Sequence, residues 1–126
     1  MSEERKLFLK DEVYAIVGSV FEVLKAVGHG FHEKPYENAL VVEFGKRDIA
    51  VVQQPKFDLV YKESIIGSFI PDLIAFDAVV IDTKVIERTT DHERGQMLNY
   101  LRITKLQVGV ILNFEHAKLQ WERMDL

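Results

Sequence analysis

Four charged side chains stand where the surrounding sequence calls for apolar ones. Asp82 and Lys84 interrupt the run Val79-Val80-Ile81-Asp82-Thr83-Lys84-Val85-Ile86, and Asp72 interrupts Phe69-Ile70-Pro71-Asp72-Leu73-Ile74. Glu37 is followed at i+3, i+4 and i+7 by Leu40, Val41 and Phe44, the spacing of a helix stripe that faces a core. A buried charge without a partner costs free energy comparable to the whole stability of a small domain. These four must therefore be paired, with one another or with a ligand.

Spacing narrows the choice. On a strand, Asp82 and Lys84 share one face, about 6.6 Å apart along the chain. A hairpin loop at Phe76-Asp77-Ala78 sets residue 72 opposite residue 82, with Cβ atoms roughly 5 Å apart. Two carboxylates at that distance repel unless a cation lies between them. A hard divalent ion with oxygen ligands, such as Mg²⁺ or Mn²⁺, resolves the conflict. A one-residue slip of register would send Asp82 to the opposite face and remove the site. The competing reading is a structural ion pair between Asp72 and Lys84, with Glu37 half exposed.

Other chemistries find less support. The absence of cysteine excludes a disulfide framework, a thiolate zinc site and a cysteine nucleophile. His29 and His32 flank a glycine turn without the partner pair a zinc site needs. His116 falls in a turn, while His92 opens a helix from which it can approach the carboxylates. Ser64 and Ser68 have no His/Asp pattern around them, and no phosphate-binding glycine loop or dinucleotide fingerprint is present.

The elements that must position these groups follow from periodicity. Val13, Ile16, Val17, Val20, Phe21, Leu24 and Val27 repeat at 3.6 residues and predict a helix over 9–27, stopped by Gly28 and Gly30. Pro35 suits the first turn of a second helix that runs to about residue 47. The period then changes. Residues 49–54, 56–62, 64–76 and 79–86 are rich in β-branched and aromatic residues and read as four strands. A third helix spans about 91–103, with Met97, Leu98, Leu101 and Tyr100 inward. Residues 106–114 read as a strand buried on both faces, and 118–126 as an edge strand. The order α-α-β-β-β-β-α-β-β predicts an α/β (α+β) fold, a mixed central β-sheet flanked by helices.

Composition sets the frame. The 126 residues make one domain, with residues 1–8 expected to be a flexible start. Hydrophobic residues at 48% and charged residues at 29% describe an ordinary globular protein rather than a disordered or fibrous one. The charged start lacks the apolar segment of a secretory signal, and no apolar run approaches the ~20 residues of a membrane span, so a cytoplasmic location is expected. A net charge of −4 argues against indiscriminate coating of nucleic acid, though a metal-binding carboxylate cluster inflates the acidic count.

Against this background, Pro71-Asp72, nine residues, then Asp82-Thr83-Lys84 resembles the PD-(D/E)XK motif of the restriction-endonuclease-like nucleases. Gln96-Met97-Leu98-Asn99-Tyr100 resembles the QxxxY motif of the RecB-type exonuclease branch. Gly30-Phe31-His32-Glu33-Lys34-Pro35-Tyr36 resembles the stretch that names the GxxExxY proteins, which are placed in the same superfamily; that likeness runs from about Ile16 to Arg123. The resemblance implies a restriction-endonuclease-like core, with Glu37, Asp72, Asp82 and the Thr83 backbone carbonyl as ligands of Mg²⁺ or Mn²⁺. It implies that Lys84 orients or deprotonates the attacking water, and that Gln96 and Tyr100 support the site. Asp82 stands where many relatives carry Glu, and Pro35 is unusual within the GxxExxY stretch. The implied activity is hydrolysis of a phosphodiester, DNA rather than RNA, leaving a 5′-phosphate. Lys34, Arg88, Arg94 and Arg102 are candidate phosphate contacts by their nearness in sequence. The alternative is a nuclease-like module that binds nucleic acid or a protein partner without cutting. A homodimer suits so small a domain on a duplex.

Overall fold

The computed structural model describes residues 8–126; the expected flexible start lies outside these apart from Phe8. Among the described residues three helices, α1 (Lys10–Val27), α2 (Glu33–Lys46) and α3 (Asp91–Thr104), accompany seven strands: β1 (Val51–Gln53), β2 (Phe57–Tyr61), β3 (Ser64–Phe69), β4 (Leu73–Ala75), β5 (Val79–Lys84), β6 (Val108–Asn113) and β7 (Gln120–Asp125). Five strands form a mixed sheet in the order β1-β4-β5-β6-β7, and β2 and β3 pair separately as a hairpin. Only β5 and β6 run parallel, joined through α3 as a crossover helix. This is the mixed sheet flanked by helices that the element order predicts, consistent with a restriction-endonuclease-like core.

The helices cover the two faces of the sheet. On one, α1 and α2 bury Val13, Ile16, Val20, Leu40 and Phe44 against Leu73, Val79, Ile81, Val110 and Leu112. On the other, Met97 and Leu101 of α3 pack on Ile74, Val80 and Ile111. Alternation along β5 therefore sends Ile81 toward α1 and α2, and Val80, Asp82 and Lys84 toward α3. Gly109 is required by close approach: a Cβ there would run into the Met97 sulfur. Gly28, at φ 87°, turns the chain out of α1 while its N–H bonds Leu24 O at 2.9 Å, the left-handed exit that glycine permits.

Several boundaries differ from the sequence reading. The strand expected over 64–76 is two elements in different sheets, β3 and β4, separated at Pro71, whose ring removes a ladder donor. The strand expected over 79–86 ends at Lys84. Beyond it, Val85 N–H turns to the Glu33 carboxylate, and Ile86 N–H and C=O bond the amide of buried Asn113. Phe21 and Val27, expected inward, are exposed on α1, where Val23 takes the inward position instead. Among the described residues no helix is long and apolar enough to cross a membrane.

Candidate active site

The β4–β5 hairpin has the register on which the site depends. Leu73 faces Ile81 and Ala75 faces Val79, around a loop at residues 76–78 closed by Ala78 N–H to Ala75 O at 3.0 Å. One further step places Asp72 opposite Asp82. The ladder itself stops at the Leu73–Ile81 pair. Past that point the Asp72 carboxylate receives the Thr83 backbone N–H at 2.8 Å and the Thr83 hydroxyl at 2.9 Å.

Asp82 lies in a different environment. It is 3% exposed, and its Oδ2 is buried without a hydrogen bond. Lys84 Nζ stands 3.4 Å away, an ion-pair distance without hydrogen-bond geometry. Burial pushes the Asp82 carboxyl up to about 7; the Lys84 ammonium opposes this, and the Asp72 charge adds to it. Lys84 is half-buried, which lowers its basicity, but Asp82, Glu33 and Asp72 more than offset this and raise it overall. The ion pair thus runs from Lys84 to Asp82 rather than to Asp72.

From Lys84 a chain of contacts reaches α3. Lys84 Nζ donates to Gln96 Oε1 at 3.0 Å, and Gln96 Nε2 donates to the Tyr100 hydroxyl at 3.2 Å. Gln96 and Tyr100 stand one turn apart on the helix face that covers Asp82 and Lys84. Burial first, then the Asp82 charge, raises the pKa of the Tyr100 phenol, so its hydroxyl stays protonated. Asp72, Asp82, Lys84, Gln96 and Tyr100 therefore form one connected group.

Glu37 reaches the site differently. It is buried on α2, on the other side of the sheet, and its Oε2 accepts from Lys34 Nζ at 2.9 Å, Gln53 Nε2 at 2.5 Å and Gln54 Nε2 at 3.4 Å. Gln54 N–H in turn bonds Asp72 O at 2.8 Å, so Glu37 is joined to Asp72 through one residue. Among the described residues no three His, Asp or Glu side chains gather closely enough to hold an ion. Glu37 is not gathered with Asp72 and Asp82 into one such group.

The donor set nevertheless suits a hard cation. A buried carboxylate oxygen lacking a hydrogen bond, with a second carboxylate opposite and an ammonium at its side, is an arrangement that a divalent ion completes. Asp72 and Asp82 are the residues that fit it, and the Thr83 carbonyl lies between Asp82 and Lys84 on β5.

The remaining sequence candidates divide. Arg94 is held by Glu122 at 2.6 and 3.0 Å and by Asp91 at 2.9 Å, and Lys34 by Glu37. Arg88 is exposed, and Arg102 bonds Asn99 at 2.9 Å. His92 stands one turn before Gln96 on α3 and, with it, lines an open cleft. His29 and His116 bond the backbone oxygens of Glu115 and Glu87. Tyr36 is fully buried: its hydroxyl donates to Gly28 O at 2.6 Å and accepts Phe31 N–H at 3.1 Å, and its ring stacks on Phe114 at 4.3 Å. Two residues that touch the site, Gln53 and Gln54, escape sequence reasoning, where they read as the polar end of a strand. Glu33, part of the Gly30–Tyr36 stretch, reaches Val85 N–H at the end of β5.

Comparison with known proteins bears on the family and the fold. A family profile described as the PD-(D/E)XK nuclease superfamily matches residues 10–124. No curated protein matches the chain. A solved structure titled "Crystal structure of SSO0001" is similar in fold, with a TM-score of 0.60 at 13% identity over 96% of this chain and 61% of that one. This chain thus spans less than two thirds of that protein's length.

Proposed function

The chain belongs to the PD-(D/E)XK nuclease superfamily, and we propose that it is a metal-dependent nuclease that hydrolyses phosphodiester bonds in DNA. The observation that carries this reading is the buried Asp82 carboxylate, with one oxygen lacking a hydrogen bond, opposite Asp72 and beside Lys84. Nucleases of this superfamily generally use divalent metal ions. Asp72, Asp82 and the Thr83 carbonyl are the groups to hold Mg²⁺ or Mn²⁺, with Glu37 supporting them through Gln54 and Asp72. A bound ion supplies charge neutralisation and activates water at neutral pH.

The chain's own residues account for the rest. Lys84, kept as the ammonium by its carboxylate neighbours, holds the charge that develops on the phosphate oxygens rather than acting as the base. Gln96 fixes the Lys84 ammonium, and the Tyr100 hydroxyl fixes Gln96. Water adds to phosphorus, the bond to O3′ breaks, and the products carry a 5′-phosphate and a 3′-hydroxyl. Within the superfamily, we propose that the chain is one of the GxxExxY proteins, a reading that the Gly30–Tyr36 stretch supports. In support, Tyr36 ties Gly28 and Phe31 together, and Glu33 reaches Val85 at the end of β5.

A second reading, a module that binds without cutting, draws on Asp72 and Glu37 being already engaged by Thr83, Lys34 and Gln53. Incubation of end-labelled oligonucleotides with the protein and Mg²⁺ or Mn²⁺ separates the two. Cleavage to 5′-phosphate ends that Asp82→Asn abolishes supports the nuclease. Tight binding with no cleavage in either metal supports the module.

A further inference from the structure

Beside Lys84 and Gln96 the surface opens into a cleft of about 610 Å³, within the ~300–1,000 Å³ range of small-molecule sites. One wall is α3, where His92, Gln96 and Tyr100 follow one another by a turn, flanked by Asn99 and Arg102. Phe69 of β3 supplies the facing wall, and its ring meets that of Tyr100 edge-on, 6.5 Å between centroids at 78°. We propose that this cleft receives the base of an unpaired nucleotide whose phosphate lies at Lys84. The proposal rests on the nuclease reading and adds a substrate class to it: single strands, or ends whose bases are free.

Three observations converge. Half-buried aromatic rings, Tyr100 and Phe69, stand on both walls of an open polar cleft, and aromatic rings in such a groove bind unpaired bases without regard to sequence. The amides of Gln96 and Asn99 and the guanidinium of Arg102 lie along the same cleft, as groups that can meet a base edge or a flanking phosphate. Gly95 lines it as well, and a Cβ there would meet nothing within 4 Å. Glycine inside a helix weakens it relative to alanine, and packing does not demand glycine at 95. Its effect is to leave the helix face clear. A base held in a duplex is stacked and paired and does not enter such a cleft. The Asp91 carboxylate at the margin is ion-paired to Arg94.

The test is binding without metal, so that no cleavage intervenes. A short oligonucleotide carrying 2-aminopurine is titrated with the protein in EDTA, as single-stranded DNA, as single-stranded RNA and as a duplex. Quenching by either single strand, at least tenfold tighter than the duplex, is expected, and the tighter strand identifies the sugar. Phe69→Ala should weaken binding roughly tenfold through lost stacking. Gly95→Leu should block it while the protein remains folded by circular dichroism. Equal affinity for duplex and single strand, or unchanged binding in both variants, overturns the proposal. Failure of the nuclease reading looks different: oligonucleotide binding persists and depends on Phe69, but no metal-dependent cleavage depends on Asp82.

Discussion

Asp72 receives both the backbone N–H and the hydroxyl of Thr83 on a single carboxylate oxygen, at 2.8 and 2.9 Å. The contact fastens the start of β4 to the end of β5 where the ladder has stopped, and it holds Asp72 opposite Asp82. One acid of the pair is thus a structural clamp even before any ion binds. Asp72→Ala should cost about 1–3 kcal/mol, because it leaves the buried Thr83 N–H without a partner. Thr83→Val, which loses only the hydroxyl bond, should cost about 1 kcal/mol. Urea unfolding of the two variants checks the order; equal costs would contradict it.

Asp82 makes the metal-free protein sensitive to pH. Its carboxyl is raised from 3.8 to about 7 in the folded state, so between those values the unfolded chain is ionised while the folded chain retains the proton. The unfolded state then binds fewer protons, and stability falls as pH rises through that window. Below about pH 4 the group contributes nothing to the slope, and above about 7 the loss is complete. Denaturation from pH 4 to 8 in EDTA should show this decline from Asp82, and Asp82→Asn should flatten it. Saturating Mg²⁺ or Mn²⁺ should diminish the loss near neutrality by favouring the carboxylate.

Lys84→Ala should lower kcat by about 10²- to 10³-fold, the scale of removing one positioned charge from a transition state. The same variant removes the opposing charge beside Asp82, so the stability decline should extend to higher pH than in the wild type. Tyr100→Phe keeps the ring and loses only the hydroxyl that Gln96 bonds; a drop of roughly tenfold is expected. Single-turnover rates measure both, and full activity in Lys84→Ala would remove that residue from the account.

Tyr36 binds the turn between α1 and α2 to the core through one hydroxyl. Tyr36→Phe preserves the stack on Phe114 and leaves Gly28 O and Phe31 N–H unpaired, so it should destabilise the protein by about 1–3 kcal/mol. If it unfolds at the wild-type urea midpoint, the hydroxyl is not what holds the turn.

The parts of this structure that were legible in the sequence are those set by local pattern. The alternation of β5 and the Phe76-Asp77-Ala78 loop were enough to put Asp72 and Asp82 opposite each other, and the hairpin register agrees. The four-residue spacing of Gln96 and Tyr100 likewise placed them on one helix face. What remained hidden depends on tertiary partners. The division of residues 64–76 between two sheets follows from which strands they pair with, which periodicity does not report. Phe21 looked like part of the α1 stripe, but Val23 fills the inward position. Glu37 was expected beside the two aspartates; which face of the sheet α2 covers is fixed by packing, and that packing sends Glu37 to Gln53 and Gln54. The capping box of Thr90 and Glu93 at the start of α3 is a local signal that the sequence carries as well.

In the proposed nuclease, Asp72 and Asp82 together bind a divalent ion. Titration of Mn²⁺ into isotope-labelled protein, followed by NMR line broadening, tests it most directly, with Asp82→Asn as the control. The account predicts broadening centred on Asp72, Asp82, Thr83 and Lys84, weaker at Glu37, and absent from the control. Broadening confined to exposed surface carboxylates, or unchanged in Asp82→Asn, would contradict it.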